Sequence, residues 1–352
     1  MFMFIADIHL GVKLPKSDFY DSLELMFSII KKHKEPCEAI IVCGDLFDHA
    51  LNIDEAKFAA GFLMHLAFNH CGRDGVDNVP IHIIEGTYSH DRMQMSIYEQ
   101  FMKHLPCTVF YFPKWCRLTL PSGKKLLYLP QEYGDVDYGD AFDHEYDLIV
   151  GHGPMSSINK TVVTAHGTEI MHSVEMLGNI SKLCVFGHYH EYTDFGNGVY
   201  YAGSMLRFRY GEDSDKVFFM CDDQFQVTTI KNLVAKEFKT IEIHNPEQLR
   251  SELANEINTP HRFVIHPTSN DQSDYYAIMN TTKQSQNIKF KVVQEEVIDE
   301  STTEQIVDDV QEDVLIESPV ESLIHYVNDK YQMDVSKEVH DYETKINRET
   351  SS

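Results

Sequence analysis

Five short segments of the chain combine carboxylates and imidazoles in a way suited to divalent metal ions. They are Asp7-Ile8-His9, Gly44-Asp45, Gly86-Thr87-Tyr88-Ser89-His90-Asp91, Gly151-His152-Gly153 and Gly187-His188-Tyr189-His190. Mixed oxygen and imidazole donors suit manganese, iron or zinc better than calcium or magnesium. A pair of ions needs a bridging carboxylate, and Asp45 is the natural candidate. Two ions about 3.5–4 Å apart can activate a water and clamp the oxygens of a phosphate undergoing in-line displacement. Side chains alternate along an extended segment, so Asp-x-His and His-x-His each aim two groups to one side. A chain with 19 histidines will contain single matches of this kind by chance. Five in a row, each closing an apolar run, are a different matter.

The apolar runs are the elements that must position these groups. Residues 1–5, 39–43, 81–84, 148–150 and 183–186 are short and rich in Ile and Val, as expected of strands buried on both faces. Helices are expected between the early ones. Leu23, Phe27 and Ile30 share a helical face near residues 20–33. Phe58, Phe62 and His65 or Leu66 do so after Asn52 and Asp54, either of which could cap that helix. Met93, Ile97 and Phe101 mark a third. Alternating strands and helices predict an α/β layered fold, in which sites gather at the carboxyl ends of the strands. All five polar clusters fall there.

The chain has 352 residues, 43% of them hydrophobic, enough for a large domain with something added. No apolar run approaches the ~20 residues that span a bilayer, and the start meets Asp7 too soon for a signal peptide. Seven cysteines without a Cys-x-x-Cys pair read as reduced thiols in a cytoplasm. The net charge of −25 weighs against a protein that grips duplex DNA with a basic surface. Two facts soften that objection: much of the acid lies in one tail, and acidic ligands become part of a cationic centre when ions bind. Past residue 221 the pattern changes. Strands are expected at 239–244, 262–266 and 288–293, with a helix near 246–257. These define a small α+β domain, 236–296, after a main domain of residues 1–235. Residues 297–319 read as an acidic linker. Val320, Leu323, Ile324 and Val327 then restore helical spacing in residues 320–352, a segment expected to dock on a partner.

The order of the five clusters resembles the calcineurin-like metallophosphoesterases, whose domain is a layered β-sandwich flanked by helices. Asp7-Ile8-His9-Leu10-Gly11 and Gly44-Asp45-Leu46-Phe47-Asp48 further resemble the SbcD-like double-strand-break repair nucleases, which include bacteriophage recombination exonuclease subunits. The resemblance covers about residues 1–210 through specific motifs and the rest only in layout. It implies a manganese-dependent exonuclease or endonuclease acting on DNA in recombination or repair. It further implies two bound ions, a homodimeric complex and an SbcC-like coiled-coil ATPase partner for the C-terminal helix. One ion would be held by Asp7, His9, Asp45 and His190. The other would be held by Asp45, His152, His188 and the residue before His90. His90 would protonate the leaving oxygen, with Asp91 aligned beside it. The family's Gly-Asn-His is here Gly86-Thr87-Tyr88-Ser89-His90, so Ser89 stands where a carboxamide would coordinate. Ser89 could bind the ion, hold a water, or leave the ion to Thr87 or a backbone carbonyl.

Several other residues have weaker claims. Asp48 and His49 could orient a ligand imidazole. Arg92, Lys160, Arg207 and Arg209 could contact phosphates. Tyr111, Phe112 and Trp115 are expected in the core. His166 and His172 fall in a stretch read as helical and are not expected to be ligands. Two competing readings are a different calcineurin-like phosphoesterase and a non-catalytic DNA-end-binding subunit of an ATPase complex, the latter favoured by the Ser89 substitution.

Overall fold

A computed structural model describes residues 1–293, apart from 72–78, 103–106, 157–159, 165–166, 256, 258, 269 and 283–287. The acidic linker 297–319, the segment 320–352 with Val320, Leu323, Ile324 and Val327, and His166 lie outside the described residues.

The first third of the chain alternates strand and helix: β1 (Phe2–Ile5), α1 (Lys16–Lys32), β2 (Ala39–Cys43), α2 (Ile53–Cys71), β3 (Ile81–Ile84), α3 (Met95–Met102) and β4 (Val109–Phe112). These four strands pair in parallel in the order of the chain. The chain then crosses to a second sheet through β5 (Cys116–Thr119), β6 (Lys125–Leu129) and β7 (Tyr146–His152). A small three-stranded sheet follows, β8 (Met155–Ser156), β9 (Lys160–Thr164) and β10 (Gly167–Ser173). The second sheet is completed after α4 (Val174–Ile180) by β11 (Ser181–Gly187), β12 (Thr193–Asp194) and β13 (Val199–Tyr201). Finally β14 (Val217–Cys221) and β15 (Val227–Lys231) return to the first sheet beside β1.

The result is a layered α/β sandwich. Alternation sets its layers: Phe2 and Phe4 face one way, Met3 and Ile5 the other. Phe2, Phe4, Ile41 and Cys43 meet Tyr128, Leu148, Val150 and Val185 of the second sheet in the central core. Met3, Ile5, Ile40 and Val42 pack instead against Phe19, Leu23 and Phe27 of α1 and Phe58, Phe62 and Leu66 of α2. Ile149, Cys184 and Phe186 cover the outer side of the second sheet with Leu177 of α4. Strands buried on both faces have no polar side to show, so they read as unbroken apolar runs. Cys43, Cys107, Cys184 and Cys221 are buried free thiols. Among the described residues no helix is long and apolar enough to cross a membrane.

Helix α2 starts where its cap dictates. The Asn52 side chain accepts from the backbone N–H groups of Asp54 and Glu55, while Glu55 Oε2 accepts from Asn52 N, so both ends of a capping box are made at α2. Helix α3 differs from the expected phase. Arg92 and Met93 both adopt positive φ, 48° and 57°, so the loop persists to Gln94 and the buried face carries Met95 and Tyr98. Ile97 is 74% exposed and Met93 is 42% exposed. The stretch around His172 is strand β10 rather than helix. Tyr111, Phe112 and Trp115 are half-buried at the margins of the cores rather than inside them.

Beyond the sandwich, β16 (Lys239–Ile243), α5 (Pro246–Leu253), β17 (His261–Ile265), α6 (Gln272–Thr281) and β18 (Ile288–Val292) form a parallel βαβαβ unit. It has a core of its own from Ile243, Leu249, Phe263, Ile265, Tyr275 and Ile278. Asn245 caps α5 by accepting from Gln248 N, with Pro246 in the first turn where its missing N–H costs nothing.

Candidate metal centre

Parallel strands end on the same edge, so β1, β2 and β3 of one sheet and β7 and β11 of the other deliver their carboxyl ends to one rim of the sandwich. The loops after β1 and β2 are stitched together there. Asp7 N donates to Gly44 O, the N–H groups of Ile8 and His9 to Asp45 O, and Leu10 N to Leu46 O. This stitching holds Asp7, His9 and Asp45 at φ of 49°, 52° and 47°, and His188 sits at 99°. Non-glycine residues resist such backbone at a cost of roughly 1–3 kcal/mol each, and where neighbours enforce it the strain tends to mark a working site. Two glycines allow the close approach. A Cβ on Gly44 would fall 2.3 Å from His152 Nδ1, and one on Gly86 only 2.1 Å from Asp45 N.

The donors converge. Asp7, His9 and His190 offer atoms within metal-binding reach of one another, as do Asp7, Asp45 and His152, and also His9, Asp48 and His90. Asp7 and Asp45 belong to the buried set, at 0% and 3% exposure. His188 falls outside these three groups. Its backbone N–H donates to both Asp7 carboxylate oxygens, at 2.9 and 3.1 Å, and its ring lies 5.5 Å from that of His152.

The imidazoles are aimed by their far nitrogens. His152 Nδ1 lies 2.7 Å from Cys43 O, His190 Nδ1 lies 3.0 Å from Glu212 Oε1, and His90 Nδ1 lies 2.6 Å from Asp48 O. Each contact puts the proton on Nδ1 and leaves the Nε2 lone pair facing the site. His9 Nε2 and His190 Nε2 face each other at 3.1 Å. Asp48 is one of the orienting groups: its Oδ1 is 3.3 Å from His9 Nδ1 and its Oδ2 is 3.0 Å from His49 Nδ1. The His9 contact is an ion-pair approach without hydrogen-bond geometry.

The electrostatics fit cations. Burial raises the Asp7 carboxyl above its usual value against the opposing pull of His152 and His190. At Asp45 burial acts in the same sense, but His152, His9 and His90 outweigh it and hold the group low. His152 is raised because Asp45 and Asp7 outweigh its burial. Asp45 is thus held charged by neighbouring imidazoles, of which His152 is raised in return. Among the described residues no Lys or Arg forms an ion pair with Asp7 or Asp45. Divalent cations would replace the imidazole protons, and the donor set suits them.

The third loop is threaded differently from the simplest reading of its sequence. Thr87, not Ser89, reaches the centre: its N–H donates to Asp45 Oδ1 at 2.6 Å. Its hydroxyl lies 3.2 Å from Asp45 Oδ2, 3.3 Å from His152 Nε2 and 3.0 Å from Gln131 Oε1. Ser89 is half-buried in the turn beyond, where its carbonyl accepts from Arg92 Nε. Thr87→Val is therefore expected to weaken the less tightly bound ion about two- to tenfold, the worth of one hydrogen-bonding oxygen. Ser89→Ala should leave it within twofold. Calorimetric titration with manganese checks both.

Asp91 is buried, at 1% exposure. Its oxygens accept from Phe47 N at 2.9 Å and Gly86 N at 2.7 Å, tying the second and third loops together. Burial, with Asp45 and Glu85 nearby, pushes its carboxyl well up. These two bonds fit Asp91 to position the loop that carries His90. The arginines are also redirected. All three of the Arg207 hydrogen bonds go to backbone carbonyls, of Glu212, Ala235 and Ser214. Arg209 is exposed beside Glu212, at 3.4 Å. The Lys160 side chain lies outside the described set. His172 is buried among Tyr138, Phe142 and Phe186, where burial lowers it to about 4.

Glu212 has no signature in the sequence, yet it is built into the centre. It accepts from His190 Nδ1 and, through Oε2, pairs with Lys216 Nζ at 2.9 Å; Lys216 in turn donates to His190 O at 2.8 Å. Burial opposes its charge, but His190 and Lys216 outweigh burial and bring it down to about 2. Partners that fix a ligand imidazole typically contribute 10–100-fold in metal affinity. Glu212→Gln keeps the shape and removes the charge, so manganese affinity should fall about tenfold, the low end of that range. A change under twofold by calorimetry would reduce Glu212 to a packing residue.

The calcineurin-like phosphoesterase family model matches residues 1–192, more than half of the 352-residue chain. No curated protein matches it. The matched span ends just past His190 and contains every strand that delivers a donor to the rim, so the chain belongs to the calcineurin-like phosphoesterases, metal-binding hydrolases of phosphate esters.

Proposed function

We propose that the protein is a manganese-dependent DNA nuclease. The observation that carries the reading is the shared rim, where Asp7, His9, Asp45, His152 and His190 converge and His90 stands beside them. Divalent cations held by these residues would supply Lewis acidity to the phosphate and lower the pKa of a water. The remaining work falls to the chain. Asp45 Oδ2 lies 3.9 Å from His9 Nε2 and its Oδ1 3.3 Å from His152 Nε2, which places this carboxylate to be shared by both ions. His90, with Nδ1 directed to Asp48 O, presents Nε2 as the acid that returns a proton to the leaving oxygen. Two features favour DNA over a small phosphate ester. One is the resemblance of residues 7–11 and 44–48 to SbcD-like nucleases. The other is the βαβαβ unit at 239–292, which a small-molecule enzyme does not need. In this reading the protein is the nuclease subunit of an SbcCD-like complex in the cytoplasm, acting in recombination or repair. It pairs as a homodimer, and residues 320–352 dock on a coiled-coil ATPase.

The test is incubation of the purified protein with linear and covalently closed DNA, in manganese and in magnesium, with and without a coiled-coil ATPase. Degradation of linear DNA in manganese, abolished by chelation, supports the reading. Release of phosphate from a monoester with both DNAs left intact would replace it with a phosphomonoesterase.

A further inference from the structure

A cleft of about 710 Å³ opens beside the metal centre, lined by the segments after β3 and β6 and around the start of β5. Its volume lies in the range of ordinary ligand sites. It adjoins the centre. Gly86 and Gln131 line it, and Gln131 Oε1 is 3.0 Å from the Thr87 hydroxyl that touches Asp45. Its walls are aromatic and apolar: Tyr88, Met93, Pro113, Trp115 and Tyr133. Tyr88 is 51% exposed and Met93 42% exposed, although each lies within three residues of His90. These walls are held in place. Trp115 Nε1 donates to Asp137 O at 3.0 Å and Trp115 N to Glu132 Oε2 at 3.1 Å, while Tyr133 OH accepts from Tyr88 N at 3.3 Å. Flat side chains fixed by the backbone lose little freedom when a flat ligand arrives.

Charge decides which part of a substrate belongs here. Glu132, Asp135 and Asp137 line the cleft with Lys114 as the one cation among its described lining residues. Such a cleft repels a phosphate. It accepts a neutral aromatic group, and carboxylates can take hydrogen bonds from the exocyclic amines of a base. The adjoining centre has the opposite preference, since bound cations attract phosphate. A ligand that is aromatic at one end and phosphate at the other satisfies both.

We propose that this cleft holds one unpaired nucleobase of the substrate, that of the nucleotide next to the phosphate under attack. The proposal rests on the DNA nuclease reading and adds to it the form of the substrate. A base stacked and paired in a duplex cannot enter such a cleft, so the strand at the centre is single, frayed or locally opened.

The experiment uses the full chain with manganese and a short single-stranded oligonucleotide. One nucleotide at a time is replaced by an abasic residue, which keeps the phosphates and removes one base. Base–aromatic stacking typically changes affinity enough to be read as about a tenfold effect or more. The expected result is cleavage slowed about tenfold at the phosphate on one side of the abasic residue and unaffected elsewhere. Tyr88→Ala should cut intact and abasic strands at the same reduced rate, and Tyr88→Phe should recover the discrimination. Wild-type cleavage indifferent to every abasic position overturns the cleft assignment alone, and needs no variant to fold. Failure of the wild type to cut any DNA, while another phosphodiester is hydrolysed, overturns the nuclease reading and this one with it.

Discussion

Asp45→Ala is expected to reduce phosphodiester turnover by more than about a hundredfold. Outer partners of a metal ligand are already worth 10–100-fold, and Asp45 is a donor itself, placed between His9 at 3.9 Å and His152 at 3.3 Å. Chelation of the wild type should match that loss, and added manganese should rescue the wild type but not the variant. The variant should still fold, because the Asp45 backbone carbonyl, which takes two N–H groups from the first loop, is kept. Activity surviving both chelation and the substitution would contradict a site that works through ions shared at Asp45.

His90→Asn separates proton transfer from coordination. His90 belongs to the donor group with His9 and Asp48, but its Nδ1 is committed to Asp48 O and its place is beside the Asp7–Asp45 pair rather than within it. A positioned general acid contributes typically ~10²–10⁴-fold. Turnover should fall by that factor while manganese affinity, read by calorimetry, stays within about threefold. A better leaving group, needing less protonation, should recover much of the loss. If the variant instead sheds its ions, His90 is a ligand and the proton comes from elsewhere.

The sandwich and its rim were legible because both follow from short-range rules. Strands covered on both sides must be apolar throughout, and a donor set placed by parallel strands must follow each apolar run at once. Residues 5–9, 43–45, 150–152 and 186–190 obey both rules. The third loop was harder. Counting back from His90 selects Ser89, whereas the chain holds Gly86 against Asp45 and brings in Thr87. The two residues between Thr87 and His90 are accommodated outward as an exposed tyrosine and a turn. The phase of α3 was lost for a related reason: two residues with positive φ delay the helix, and sequence periodicity cannot see that delay. Glu212 was not legible at all. It is one of 55 acidic residues, 22 positions past the imidazole it orients, and only the return of the chain from β13 toward β14 brings it there. Helix α6 has just two buried apolar side chains, Tyr275 and Ile278, too few to set a period.

The account stands on a pair of ions bound at one rim, and counting them is the most direct measurement. Chelated, dialysed protein titrated with manganese in a calorimeter should bind two ions per chain, the second lost in Asp45→Ala and weakened in Thr87→Val. Stoichiometry of zero or one in the wild type, with no change on replacing Asp45, would contradict it.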